Sequence, residues 1–375
     1  MKVAHDSGEK FLARVTPFVE RDGARNMLDI SSQLDIPYQT VRFRLGRLRE
    51  QGISVSPFVD VEGLGLRRYR VSFDFRSEDE AKEIAPFFGG LHRAAGLHYY
   101  ARSLVSHEFD TEFMIPTGKQ DELYKLLNSL QELSFLDNIV VRQIQWKEIL
   151  MMKTEYYDYS NREWDVDFSK LKASTSAGHY SVSTGEEGAG ERNFDHIDLM
   201  IIKSLQLDST VKSVDLSKKL NVTDSDVSYH MNKHVVARKL IPSFRLKWTG
   251  TKDAWLKHTI VMMTYKFTNL HDDLLRHAIS IMTSVPFTFN HLRTRDGAYF
   301  VELSVPIGYL AETMKYLSDN LRQMKLKPDE IIYPDWSATM NYTIPYHMHE
   351  EKSGWHFDAE TGLGLILQMV KSQGT

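Results

Sequence analysis

The stretch FDHIDLMIIKSLQLDSTVKSVDLSKKLNVTDSDVSYHMNKH, Phe194–His234, decides the fold. Ile197, Met200, Ile201, Ile202 and Leu205 recur at helical spacing, which predicts a helix from Phe194 to Leu207. Val214 to Leu220 is a second, shorter helix, and Asn221-Val222 then makes a turn. Thr223 with Asp226 resembles a capping box, Asp standing where Glu or Gln is usual, and opens a third helix. Three helices with a tight turn before the last form a helix-turn-helix, whose third helix has the shape to enter a DNA major groove.

The same pattern stands near the start of the chain. Glu9 to Glu20 and Met27 to Leu34 are predicted helices, and Pro37, well suited to a first helical position, opens a third along Tyr38 to Glu50. Leu34, Ile36 and Val41 match Leu220, Val222 and Val227 at an offset of 186 residues. Further along the offset grows to about 190: Ile115-Pro116-Thr117-Gly118 matches Val305-Pro306-Ile307-Gly308, and Trp146 matches Trp336. A four-residue difference inside the unit accounts for the change, as loop insertions do. The chain is therefore read as two copies of one unit.

After each helical module the period becomes that of strands. Tyr69 to Phe75 alternates, as does His258 to Phe267. A helix follows (Glu78 to Phe88; His271 to Thr283), then two strands (Leu97 to Leu104 and Glu108 to Ile115; Phe287 to Arg295 and Tyr299 to Val305). Asp296-Gly297 is a hairpin signal between the second pair. A further helix (Lys119 to Leu130; Tyr309 to Met324) leads to a last strand ending near Trp146 or Trp336. The order βαββαβ is that of a ferredoxin-like domain. The expected class is α+β, a tandem repeat of a winged-helix-like helix-turn-helix and a ferredoxin-like domain. Expected boundaries are 1–60, 61–168, a Ser/Gly-rich linker at 169–193, then 194–248 and 249–360, with a tail at 361–375.

Composition bounds the function. With 42% hydrophobic and 26% charged residues, the 375-residue chain has the make-up of a globular protein of several domains. No apolar run approaches the ~20 residues of a membrane span, and MKVAHDSGEKF lacks the apolar core of a secretory signal. The absence of cysteine excludes disulfides, thiolate metal sites and a cysteine nucleophile. These features favour the cytoplasm. A net charge of −4 leaves nucleic-acid binding open, because phosphate responds to local charge.

The helix-turn-helix followed by βαββαβ resembles the leucine-responsive/AsnC (Lrp/AsnC) family of regulators. Asp195 and Asp198, then Leu216, Thr223 and Val227, carry the resemblance, together with the looser MLDISSQLDIPYQTVRFRLGRLREQGI of the first unit. The two units in one chain resemble fused archaeal versions. The resemblance implies double-stranded DNA as partner, an ACT/RAM-like sensing domain with a small-molecule effector such as an amino acid, and a homo-oligomer or internal pseudo-dimer.

Candidate DNA-binding residues follow from the polar face of each third helix. Tyr38, Gln39, Thr40 and Arg42 are suited to base edges, since Gln pairs with adenine and Arg with guanine; Arg44 and Arg47 are suited to phosphate. Ser225, Ser228, Tyr229 and Lys233 take these places in the second unit. Asp224 and Asp226 at the start of that helix oppose phosphate, so the first reader is expected to bind more strongly. Any amphipathic helix has such a face, and the acidic second helix also suits a protein-interaction module.

Enzymatic signals are weaker. Phe289-Asn290-His291-Leu292-Arg293 resembles a His/Arg strand of siroheme decarboxylases, which share this architecture, but Leu97 to Arg102 offers no clear counterpart. His347 and His349 would share one face of a strand beside Glu350, a metal-ligand pattern that the first unit lacks. The Tyr157–Trp164 and Tyr346–Trp355 stretches are expected to pack on their own domains. No phosphate loop, G-x-S-x-G or H-E-x-x-H motif is present. The sequence is read as a non-enzymatic regulator without cofactor or metal.

Overall fold

The computed structural model describes residues 27–50, 53–76, 80–150, 153–158, 163–171, 192–248 and 260–372, with scattered positions between 11 and 23. Most of the linker expected at 169–193 lies outside the described residues. In chain order the elements are α1 Met27–Leu34, α2 Tyr38–Glu50, β1 Ile53–Phe58, β2 Leu66–Phe75, α3 Glu80–Ala95, β3 Leu97–Ser103, β4 Glu108–Pro116, α4 Gln120–Glu132 and β5 Leu136–Ile149. The short strands β6 Tyr157–Asp158 and β7 Glu163–Trp164 end the first unit. The second unit runs α5 His196–Leu207, α6 Ser213–Leu220, α7 Asp224–Tyr229 with a π-helical continuation His230–Val236, then β8 Ser243–Trp248, β9 Ile260–Phe267, α8 Asp272–Ser284, β10 Thr288–Thr294 and β11 Tyr299–Pro306. It closes with α9 Leu310–Gln323, β12 Glu330–Ile332, β13 Pro334–Asn341, β14 His349–Glu350, β15 Gly354–Trp355 and α10 Ala359–Lys371.

The architecture is α+β, two helix-turn-helix modules and two ferredoxin-like units, as the sequence implies. The duplication reaches atomic detail. Asp35 (φ 52°) and Asn221 (φ 54°) hold the same left-handed turn, where short polar side chains are tolerated. Behind them Ile36 N–H donates to Ser31 O and Val222 N–H to Ser217 O, both at 3.1 Å. The predicted capping box is present: Thr223 and Asp226 each accept from the other's backbone N–H.

Strand exchange is the feature that periodicity does not show. Nine strands form one sheet in the order β12-β9-β11-β10-β5-β2-β4-β3-β13. The long β5 pairs with β2 of its own unit through its N-terminal half and with β10 of the other through its C-terminal half. Its counterpart, split into β12 and β13, pairs reciprocally with β9 and with β3. A single residue, Tyr333, separates β12 from β13, so the two edges of the sheet are joined by one chain segment. Sheet edges are thereby covered rather than left as templates for aggregation.

The Tyr-to-Trp segments cross over as well, against expectation. Trp164, Val166 and Phe168 pack into the second unit's core, Trp164 meeting Phe287 edge-on. Met348, Phe357 and Ala359 pack into the first unit's core. Residues expected as a tail form α10, whose Ile366 is fully buried beside α3. Gly90 permits that approach, since a Cβ there would lie 3.2 Å from Ile366 Cα. Among the described residues no helix is long and apolar enough to cross a membrane.

Candidate nucleic-acid interface

The third helix of each module presents a shallow depression. In the first it is lined by Gln39, Arg42, Phe43, Gly46 and Arg47. In the second it is lined by Asp224, Ser225, Ser228, Tyr229, Asn232 and Lys233. At the 186-residue offset Gln39, Arg42, Phe43, Gly46 and Arg47 fall on Ser225, Ser228, Tyr229, Asn232 and Lys233, so one surface occurs twice. α2 turns Val41 inward against Phe11, Val15 and Ile30, which leaves Gln39, Arg42, Phe43 and Arg47 exposed. α7 does the same through Val227, packed with Leu216 and Leu205.

Not every candidate faces outward. Tyr38 and Thr40 are half-buried, and Arg44 is turned toward the helical core with its guanidinium over the Phe11 ring at 5.1 Å. Arg47 lies over Phe43 at 5.9 Å and stays exposed. Phe43 and Gly46 were not among the candidates; spacing would have found them, since they lie one and four residues after Arg42. The lining of the first depression carries two arginines and no acid; that of the second carries Lys233 against Asp224.

The two readers are tied to each other. β1 and β8 each follow the third helix of their own module and pair antiparallel from Ile53↔Trp248 to Phe58↔Ser243. Pairing of equivalent segments is what a pseudo-two-fold axis between the modules requires.

Within the nine-stranded sheet, buried ion pairs lie beside a small apolar cluster of Ile144, Leu292, Ala298 and Phe300. Arg70 reaches Asp110 through Nε at 2.8 Å, Glu302 at 3.1 Å, and stacks over Phe300 at 4.1 Å. Glu112 accepts from Lys147 and lies 3.7 Å from Arg68. Burial would raise the Glu112 carboxyl, but Lys147 and Arg68 outweigh it and bring it down to about 2. Burial favours loss of the Arg70 proton, yet Asp110 and Glu302 hold the guanidinium charged. His98 lies near Glu112, Lys147 and Arg68; burial pushes its imidazole down to about 4.

The His/Arg strand faces the other way. His291 is fully buried on the helix side, with Nδ1 3.0 Å from Tyr299 Oη and Nε2 3.0 Å from Glu148. Arg293 meets Asp272 at 3.4 Å. In the first unit only the arginine has a counterpart: at an offset of 191 Arg102 occupies the place of Arg293, paired with Asp335 at 3.0 Å, while Tyr100 stands where His291 does. His347 and His349 part, the former bonding Arg93 O and the latter packing on Trp355.

Solved structures give one end-to-end likeness and several partial ones. The siroheme decarboxylase NirDL matches over 97% of this chain and 99% of its own, with a TM-score of 0.52 at 10% identity. That match overturns the non-enzymatic reading: the architecture, end to end, is one that an enzyme uses. Shorter matches are a transcriptional regulatory protein of the AsnC family from Pyrococcus furiosus (40% of this chain, 94% of that one, TM-score 0.30, 19% identity) and an AsnC-family transcriptional regulator from Agrobacterium tumefaciens (45% and 99%, 0.28, 17%). No protein-family model matches the sequence, and no curated protein does.

Proposed function

We propose that the chain binds double-stranded DNA through its two third helices, as a regulator of the Lrp/AsnC type, with α2 the stronger reader. The observation that carries this is the repeated exposed depression on α2 and α7, held in antiparallel relation by the β1–β8 pair. On this reading the exposed Arg42 and Gln39 would meet base edges and Arg47 a phosphate, while Arg44, over the Phe11 ring, serves the helical core. Ser228, Tyr229 and Lys233 give the second reader fewer charges, and Asp224 subtracts one.

The test is anisotropy of labelled upstream DNA across a salt series. Replacing Arg42 and Arg47 with Ala is expected to weaken binding, and loss of the Arg47 phosphate contact to reduce the slope of log K against log salt by about 0.9. Replacing Lys233 is expected to cost less. Equal losses would refute the ranking, and an unchanged slope would refute the interface.

A second reading, a tetrapyrrole enzyme, is supported by the end-to-end likeness to NirDL and by Arg102 and Arg293 at equivalent strand positions. Guanidinium groups match carboxylates in geometry, and a porphyrin polycarboxylate would present several. Titrating the chain with iron uroporphyrin and following its Soret band tests this. A saturable shift lost on replacing both arginines would support it, and an unshifted band would remove it.

A further inference from the structure

We propose that Asp195, Asp198, His230 and His234 form a binding site for one divalent transition-metal ion of the zinc class. One ligand atom from each residue lies within 4.8 Å of all the others. His230 Nδ1 is 2.9 Å from Asp198 Oδ1 and 3.4 Å from Asp195 Oδ2; His234 Nδ1 is 3.0 Å from Asp198 Oδ2 and 3.9 Å from Asp195 Oδ2. A tetrahedral ion with bonds of about 2.0–2.1 Å separates its ligands by about 3.3 Å. These four spacings, measured to both Asp198 oxygens, bracket that value, and the whole set lies within 4.8 Å, so the rings and carboxylates close inward on the ion.

Local backbone builds the site. The π-helical continuation of α7 puts His230 and His234 on one face, and π-turns recur where side chains are brought to functional sites. Their partners are the two acids of the α5 capping box, in which Asp195 N–H donates to Asp198 Oδ2 and Asp198 N–H to Asp195 Oδ1, both at 3.0 Å. Those bonds orient the carboxylates as an outer shell orients metal ligands. Asp198 is fully buried, and a buried carboxylate needs a compensating charge. As metal ligands, two carboxylates and two neutral imidazoles together carry two negative charges, which one divalent cation neutralises. Tyr229 caps the pair edge-on, its centroid 5.7 Å from His230 and 5.2 Å from His234.

The site belongs to the second unit alone. At the 186-residue offset its positions are held by Glu9, Leu12, Arg44 and Leu48 in the first. Metal would tie the start of α5 to the helix that carries Tyr229 and Lys233, and so fix the pose of the weaker reader. The structural metal stands whether or not DNA is the ligand of that reader.

The experiment uses the full chain stripped with EDTA and titrated with cobalt(II). One equivalent is expected to give the intense visible bands of tetrahedral cobalt, displaced by zinc. Replacing His230 and His234 together with Gln is expected to lower cobalt affinity at least ~100-fold, since outer-shell changes alone cost 10–100-fold. The control, His347→Gln with His349→Gln, keeps it. Asp195→Asn, at a half-exposed side chain, provides a milder variant with the fold checked by circular dichroism. Absence of the bands in the unaltered chain, or undiminished affinity in the Gln or Asn variants, would overturn the site.

Discussion

Arg44 and Arg47 are identical in type and three residues apart, yet one stacks on Phe11 in the helical core and the other stays in solvent. Helical period separates core from surface, but a long amphipathic side chain at the border goes wherever an apolar ring is offered. His98 shows the same dependence on tertiary surroundings. His98 is partly buried with Nδ1 covered, and Glu112, Lys147 and Arg68 lie near it. Burial dominates, and Lys147 with Arg68 adds to it against Glu112, so the imidazole is pushed down from its ordinary value to about 4. A folded-state pKa below the unfolded one means stability that is fully present above about 6.5 and is lost as pH falls through the folded value. His98→Asn does not titrate. The stability advantage of the native chain over this variant is therefore expected to shrink by about 2 kcal/mol between pH 7 and pH 4, allowing for the ring's partial exposure. Urea unfolding at each pH measures it, and a constant difference would show that His98 is as easily protonated folded as unfolded.

Elements were legible where their pattern is local. The third helix of the first module, both β-hairpins and the capping box are written in spacing and turn chemistry, and they appear within a residue or two of the expected bounds. The partner of each strand was not, because the sequence of β5 is equally compatible with either neighbour, and only closure about the pseudo-dyad gives it both β2 and β10. α10 was missed for another reason: Gly362 and Gly364 lower its intrinsic helix propensity. In the fold Gly362 faces Ala94 of α3, where a Cβ would make an ordinary contact at 3.4 Å. Helix packing thus repairs a weak intrinsic propensity. Ile366→Ala should cost about 2–5 kcal/mol by opening a cavity between α10 and α3, whereas Leu365→Ala on the solvent side should stay within about 0.5 kcal/mol. Thermal or urea unfolding distinguishes them, and two small, equal effects would mean that α10 is not docked in solution.

For the whole molecule, the consequence of duplication is rigidity. Two readers on a flexible tether would search DNA independently. Here each is joined to the other through six paired positions of β1 and β8, and the second module is also seated on the first ferredoxin-like unit through Leu64, Leu66 and Met114. Arg192–Asp60 at 2.8 Å and Trp355 Nε1 donating to Leu64 O at 2.6 Å add polar anchors at the same seam. On the DNA-binding reading, a pseudo-two-fold pair fixed this firmly needs inverted half-sites at one separation, because displacement along the duplex also rotates the groove by one turn per 10–10.5 bp or so. Inserting about 5 bp between the half-sites should place the second groove on the far face and lower affinity at least tenfold, toward that of a single half-site. Inserting a full turn of about 10 bp restores the face but not the distance, and a rigid pair should still bind weakly. Recovery at the full turn would mean instead that the β1–β8 pair opens on DNA. A variant with Val55 replaced by Pro, in the middle of β1, should then bind all spacings alike, because a proline there disturbs the pairing with β8 and weakens the coupling between the readers.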